Sequence, residues 1–156
     1  VNDVIPWVGI EGVHFGSLRK DVRERLGDCS SFERSPGDSL IDYYPSMGLM
    51  LHFDRADRLD FIEATVESEL SFSGINLSGR PFGEVLDELR SNSIDFVLDG
   101  AGCVLTGYGI ELYTPAPDEL DIDVVGVALR GLMDSRDSSD ASDVVIDPPV
   151  SEDTLF

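Results

Sequence analysis

Two histidines, two cysteines and 31 acidic side chains are the groups in this chain with the means to do chemistry. A histidine can act as a general base only with a nucleophile to activate and a carboxylate to orient it. His14 lies in the apolar stretch Gly12-Val13-His14-Phe15, and His52 alternates with apolar residues in Leu49-Met50-Leu51-His52-Phe53. Neither sits in a spacing that supplies a nucleophile. HExxH, CxxC, GxSxG and P-loop patterns are absent, and Gly100-x-Gly102 does not continue into a dinucleotide fingerprint. Asp54 with Asp57, and Asp118 with Glu119, flank turn sequences. A calcium loop needs oxygen ligands at alternate positions, a glycine and a closing glutamate, and that order is missing. These readings assign no catalytic residue, no metal and no cofactor, and the chain is expected to bind rather than to catalyse.

The charge says more about partners. The net charge is −20, from 31 acids and 11 bases. Residues 134–156 hold seven of the acids and one base, which leaves residues 1–133 at −14. Such a field repels nucleic-acid phosphates and anionic lipid, and it speeds the arrival of a basic protein. Two cysteines are too few for a disulfide framework. No basic-then-apolar leader opens the chain and no run approaches a membrane span, so the expected compartment is the cytoplasm.

These residues must be positioned by secondary structure, and its pattern recurs. Gly12-Val13-His14-Phe15 aligns with Gly74-Ile75-Asn76-Leu77 at an offset of 62. Val22 and Leu26 align with Val85 and Leu89 at 63. Gly48-Leu49-Met50-Leu51 aligns with Gly109-Ile110-Glu111-Leu112, and Leu59-Asp60-Phe61 with Leu120-Asp121-Ile122, both at 61. Ordered matches at a nearly constant offset mark a duplication, with repeat one at about 9–68 and repeat two at about 71–131.

The i, i+4 pairs Val22/Leu26 and Val85/Leu89 predict helices over 18–27 and 80–90. Ser17 is the expected cap of the first helix, Gly27 its stop, and Pro81 belongs to the first turn of the second. Strands are expected at Leu40–Tyr44, Leu49–Phe53 and Leu59–Val66. In the second repeat they fall at Phe96–Leu98 or Cys103–Thr106, then Ile110–Tyr113 and Leu120–Leu129. The fold class is therefore α+β: two tandem helix-plus-antiparallel-sheet repeats forming one body over 1–133. The polar run Ser135–Asp143 and Pro148-Pro149 make 134–156 an acidic, mostly disordered tail, with Val144–Ile146 as a possible docked strand.

The sheet face turned away from the helices is the expected contact surface. Alternation places Met50, His52 and Asp54 on it from the first repeat, with Glu111 and Tyr113 from the second; Asp42 and Tyr44 are expected to join them. Asp42, Tyr44, His52, Asp54, Glu111 and Tyr113 are thus the candidate partner-binding residues, the aromatics as anchors and the acids for steering.

The stretch GVHFGSLRKDVRERLG (12–27) carries a resemblance in Phe15-Gly16-Ser17, Asp21-Val22 and Leu26-Gly27. The counterparts in the second repeat are Leu77-Ser78-Gly79, Glu84-Val85 and Leu89. This pattern resembles domains of the β-lactamase inhibitor protein type and the small outer-membrane assembly lipoproteins. GLMLHFDRADRLDFIEA (48–64) is similar to a segment of small proteins encoded beside bacterial polymorphic toxins. The chain departs from both types: Cys29 and Cys103 do not look like the secreted inhibitor's disulfide, and no cysteine for lipidation stands near Val1. The resemblance implies a tandem-repeat binding sheet. With the acidity, it implies an immunity protein that occludes a cognate toxin such as a basic nuclease; the alternative is an accessory or assembly chaperone of the same fold.

Overall fold

The computed structural model describes residues 2–114 and 124–128. They form an α+β structure with two helices and two sheets. The chain opens with β1 (Asn2–Ile5), β2 (Gly9–Ile10) and β3 (Val13–His14), followed by α1 (Arg19–Leu26). Four strands come next: β4 (Ser30–Phe32), β5 (Ile41–Tyr44), β6 (Leu49–Phe53) and β7 (Leu59–Ala64). Then come β8 (Leu70–Phe72), β9 (Ile75–Asn76), α2 (Phe82–Ser91), β10 (Val97–Asp99), β11 (Gly102–Leu105), β12 (Ile110–Tyr113) and β13 (Val124–Ala128).

The large sheet has the order β10-β11-β12-β13-β7-β6-β5-β4, with every neighbour antiparallel. Its centre is the β7–β13 ladder, where Ala64 faces Val125 and Ile62 faces Val127. The small sheet, β3-β2-β1-β8-β9, joins β1 to β8 in parallel.

The two helices are held to the sheet differently. Phe82, Val85, Leu86 and Leu89 of α2 are all buried, an apolar stripe at helical spacing. On α1 only Val22 is fully buried. Eight residues are too few for a stable helix in isolation, so α1 depends on its tertiary contacts. Ser17 does not cap it: the cap position is Leu18, with no side-chain bond. The Ser17 carbonyl instead accepts from Leu59 N–H, and Arg19 N–H donates to the Asp57 carbonyl, so the β6–β7 turn does the capping. Pro81 precedes α2 rather than lying within it. Gly27 does end α1, at φ 92°, with its N–H on the Arg23 carbonyl.

Leu49, Leu51, Ile62, Ala64, Leu105, Ile110, Leu112, Val125 and Val127 form one buried sheet face under the helices. The small sheet adds Val4, Ile10, Val13, Leu70, Phe72 and Ile75 to that core. Burial of this apolar surface is the main stabilising term. Cys29 and Cys103 are both free thiols, and burial pushes the Cys103 thiol up to about 12.

The strands differ from the sequence reading in several places. The whole small sheet, β1 to β3 with β8 and β9, lies outside the expected strands, as does β4. β10 and β11 are both present, where one or the other was anticipated. In β7 the register slips: His52 pairs with Phe61 and Phe53 with Leu59, which leaves Asp60 as an extra residue. This bulge lets Leu59 and Ile62 both face the core. The tail 134–156, the segment Val144–Ile146 and the start of the Leu120–Leu129 strand lie outside the described residues.

Candidate interaction face

Sheet register decides which side chains share the face opposite the helices. Across the sheet one row runs Val97, Val104, Glu111, Gly126, Glu63, Met50 and Tyr43. The next row runs Ala128, Phe61, His52 and Ile41. Tyr113, two residues beyond Glu111, lies on the same face and is exposed. His52, Glu111 and Tyr113 are therefore brought together on one face as the sequence predicts, with Met50.

Asp42 and Tyr44 are not. Asp42 pairs with Leu51 and Tyr44 with Leu49, so both point into the core beneath α1. The solvent exposure of Asp42 is 0 % and that of Tyr44 2 %. Asp42 accepts hydrogen bonds from Arg19, Arg23 and Ser31 at 2.8–2.9 Å. Burial would raise its carboxyl, but the Arg23 and Ser31 hydrogen bonds and both arginine charges hold it below the usual carboxylate range. This is an internal ion cluster that fastens α1 to the sheet, and it is not available to a partner. Burial and the Cys29 thiol beside it push the Tyr44 phenol up. Asp54 stands at the margin of the open face, but its Oδ1 accepts from the N–H groups of Ala56 and Arg58 and so closes the turn.

The centre of the face was not read from the sequence. Phe61 is only 7 % exposed although it faces away from the main core. Its ring lies over Gly126; a Cβ there would meet Phe61 Cζ at 2.9 Å. Trp7, carried on the β1–β2 turn, reaches the same side of the sheet. It packs with Val104 against Phe61 and Ala128, and its indole N–H donates to the Gly107 carbonyl at 3.2 Å. The ring also fills the space beside Gly109, where a Cβ would meet it at 2.6 Å. A tryptophan five residues after Asn2 carries no local signal that it will cover a glycine in β12's approach.

Charge is gathered beside this aromatic floor. Arg34 Nη1 lies 2.9 Å from Glu63 Oε1, and His52 Nε2 shares a short hydrogen bond with the same oxygen. The His52 ring meets Phe61 edge-on at 5.2 Å. Burial alone would raise the Glu63 carboxyl; the His52 and Arg34 contacts outweigh it and hold the group below its usual range. Asp60, on the bulge, is pushed by burial up to about 6, with Asp54 adding and the His52 charge opposing.

Asp60 has a stability consequence of known sign. Its folded value lies above that of an unfolded aspartate, so the folded state binds more protons between the two, and stability falls as pH rises from about 4 to about 6. Asp60→Asn removes that loss. It should stabilise the fold by roughly 1 to 3 kcal/mol at about pH 8 and change little at about pH 4. Thermal unfolding of both proteins at the two pH values checks this.

His52 and Arg34 thus converge on one oxygen of Glu63. Among the described residues no group of three or more His, Cys, Asp or Glu side chains is arranged to hold a metal ion. Two clefts of about 210 and 230 Å³ lie beside α1, away from the open face. They fall below the usual size of small-molecule sites. Their arginines, Arg25 and Arg58, donate to the carbonyls of Gly12 and Gly16 and so tie loops together. Among the described residues no helix is long and apolar enough to cross a membrane.

Compared with protein-family models, curated proteins and solved structures, the chain matches no family model, no curated protein and no solved structure.

Proposed function

We propose that this protein is a non-enzymatic binding module that occludes a basic partner, most simply an immunity protein acting on a toxin such as a basic nuclease. The observation that carries this reading is the open face of the eight-stranded sheet. Its partly exposed Trp7, Val104, Met50, His52 and Glu111 and its exposed Tyr113 surround a floor made by Phe61. A broad face with aromatic anchors suits a protein partner better than a small molecule. The net charge of −20 favours a basic one.

We further propose that the chain is a duplication. The succession of two short strands, a helix and four antiparallel strands occurs twice, as β2 to β7 and as β8 to β13. At the offset of 61, Ala64 and Val125 are equivalent, and these two residues face each other at the centre of the sheet. Antiparallel pairing of equivalent residues is what a local two-fold axis requires.

The test begins with capture of a partner from the native host at low salt, followed by kinetics on the purified pair. Raising salt to 1 M, where the Debye length falls to about 3 Å, should slow association markedly. Glu111→Lys should do the same. Tyr113→Ala should mainly speed dissociation, at a cost of about 2 kcal/mol. Trp7 is the single tryptophan, and its place on the face makes its emission a direct report of docking. An on-rate indifferent to salt, or a partner seated on the helical side, would overturn the reading. A partner whose own activity survives in the complex would favour the accessory or chaperone role over immunity.

A further inference from the structure

The eight-stranded sheet has two edges, and they are finished differently. At one, β4 is Ser30-Ser31-Phe32, with the Ser31 hydroxyl tied to Arg23 and Asp42 and Arg34 following. Polar and charged side chains on an edge strand discourage another chain from pairing with it. The other edge, β10, carries a charged side chain only at its last residue, Asp99. Val97 is 58 % exposed and Leu98 56 %, the highest values among the large apolar side chains described. Val97 pairs with Val104 and Leu98 with Cys103, so one lies on the open face and the other on the core side. The strand thus shows apolar surface on both faces and, among the described residues, pairs only with β11. Two exposed acids flank this apolar pair: Asp95 lies two residues before the strand, and Asp99 ends it, with one oxygen accepting from the Ala101 N–H.

We propose that β10 is a strand-addition site for an extended segment of a basic partner, which places apolar side chains beside Val97 and Leu98 and lysine or arginine beside Asp95 and Asp99. Backbone hydrogen bonds to the free edge would supply affinity, and the two aspartates would select the occupant. A second copy of this chain fits poorly. Antiparallel self-pairing centred on Val97 would set Asp95 against Asp99 of the other copy at both ends, between chains of net charge −20. The positive charge assigned to the occupant rests on the proposed basic partner; the exposure and position of β10 do not.

The test uses the full chain and a blocked peptide, Thr-Lys-Val-Val-Thr-Lys-Thr, which matches β10 in antiparallel register. Saturable binding should shift the amide signals of residues 95–99 and protect β10 amides from exchange. Methylating the peptide nitrogens at both valines should abolish binding, and replacing its lysines with glutamate should weaken it at least about tenfold. Leu98→Lys and Val97→Lys, at sites more than half exposed, should each weaken it about tenfold without altering the fold. Absence of binding, or signals that move on the open face instead, would overturn the proposal. So would β10 amides already protected without peptide: concentration-dependent protection would mean a second copy, and concentration-independent protection a segment of the same chain such as Val144–Ile146. If a basic partner docks through Tyr113 and Glu111 while β10 stays in free exchange, the edge proposal fails and the open-face reading stands.

Discussion

Asp42→Ala should lower the stability of the fold by about 3 kcal/mol or more, the usual cost of removing one member of a buried charge cluster. The carboxylate is fully buried and takes one hydrogen bond from Arg19, two from Arg23 and one from Ser31. Its loss removes the anion that both guanidinium groups share, leaving Arg19 with Asp57 and the Leu40 carbonyl and Arg23 with the Ser31 hydroxyl. The Arg23 side chain is 41 % exposed and can turn to water, which places the effect nearer 3 than 5 kcal/mol. Arg19 cannot turn away as easily: its side chain is 11 % exposed and its guanidinium lies 4.4 Å from the Phe53 ring. Because α1 buries little apolar surface, the damage should be local as well as global. Amide exchange in 19–26 should speed up more than in α2. Asp42→Asn keeps the shape and part of the hydrogen bonding, so it should cost less than alanine. The pH dependence is opposite in sign to that of Asp60. The Asp42 carboxyl is held below its unfolded value, so its contribution is present above about pH 4 and is lost as pH falls through the folded value. Denaturant unfolding of the three proteins from about pH 3 to pH 8 separates the two effects.

Phe61→Ala should be the second large loss, at about 3 kcal/mol. Phe61 lies outside the main core, yet its ring is buried over the β7–β13 seam with Ala128, Trp7 and Val104 against it. Truncation removes the transfer energy of the ring and uncovers the Gly126 backbone. It also removes the support of Trp7, so tryptophan emission should shift to the red in the folded protein. Gly126→Ala approaches the same contact from the other side. Its added methyl would meet the ring at 2.9 Å and Glu111 Oε1 at 3.3 Å, and overpacking of this kind costs about 1 to 3 kcal/mol. If glycine is there to seat the ring, the two changes together should cost less than their sum. Strict additivity in a double-mutant cycle would show that the ring and the glycine are independent.

Local patterns in the sequence were sufficient for the helices and for the longer strands of the large sheet, but not for β4 or for any strand of the small sheet. Val22/Leu26 and Val85/Leu89 place α1 and α2 within a residue or two, because four-residue spacing stacks side chains on one helix face. The alternation of Leu49, Leu51 and Phe53 with Met50 and His52 sets both the extent and the facing of β6, and with it the place of His52. The same alternation in Ile110–Tyr113 puts Glu111 and Tyr113 outward. What failed was every feature whose energy comes from a distant partner. Alternation alone turned Asp42 and Tyr44 toward solvent, since a charged residue in a strand ordinarily faces water. Asp42 is buried because Arg19 and Arg23, four apart on α1, meet it there. The Asp60 bulge and the three-residue edges β4 and β10 have too few residues to show a period. Trp7 covers the open face only because the small sheet carries its turn past the end of β12. The sequence determined the two helices and the longer strands of the large sheet, because those preferences act over a few residues. The tertiary structure alone decided which charges are buried, how β7 meets β13 and what lies on the open face, because each depends on groups brought together from about 20 to 100 positions apart along the chain, where loop closure and desolvation outweigh local preference.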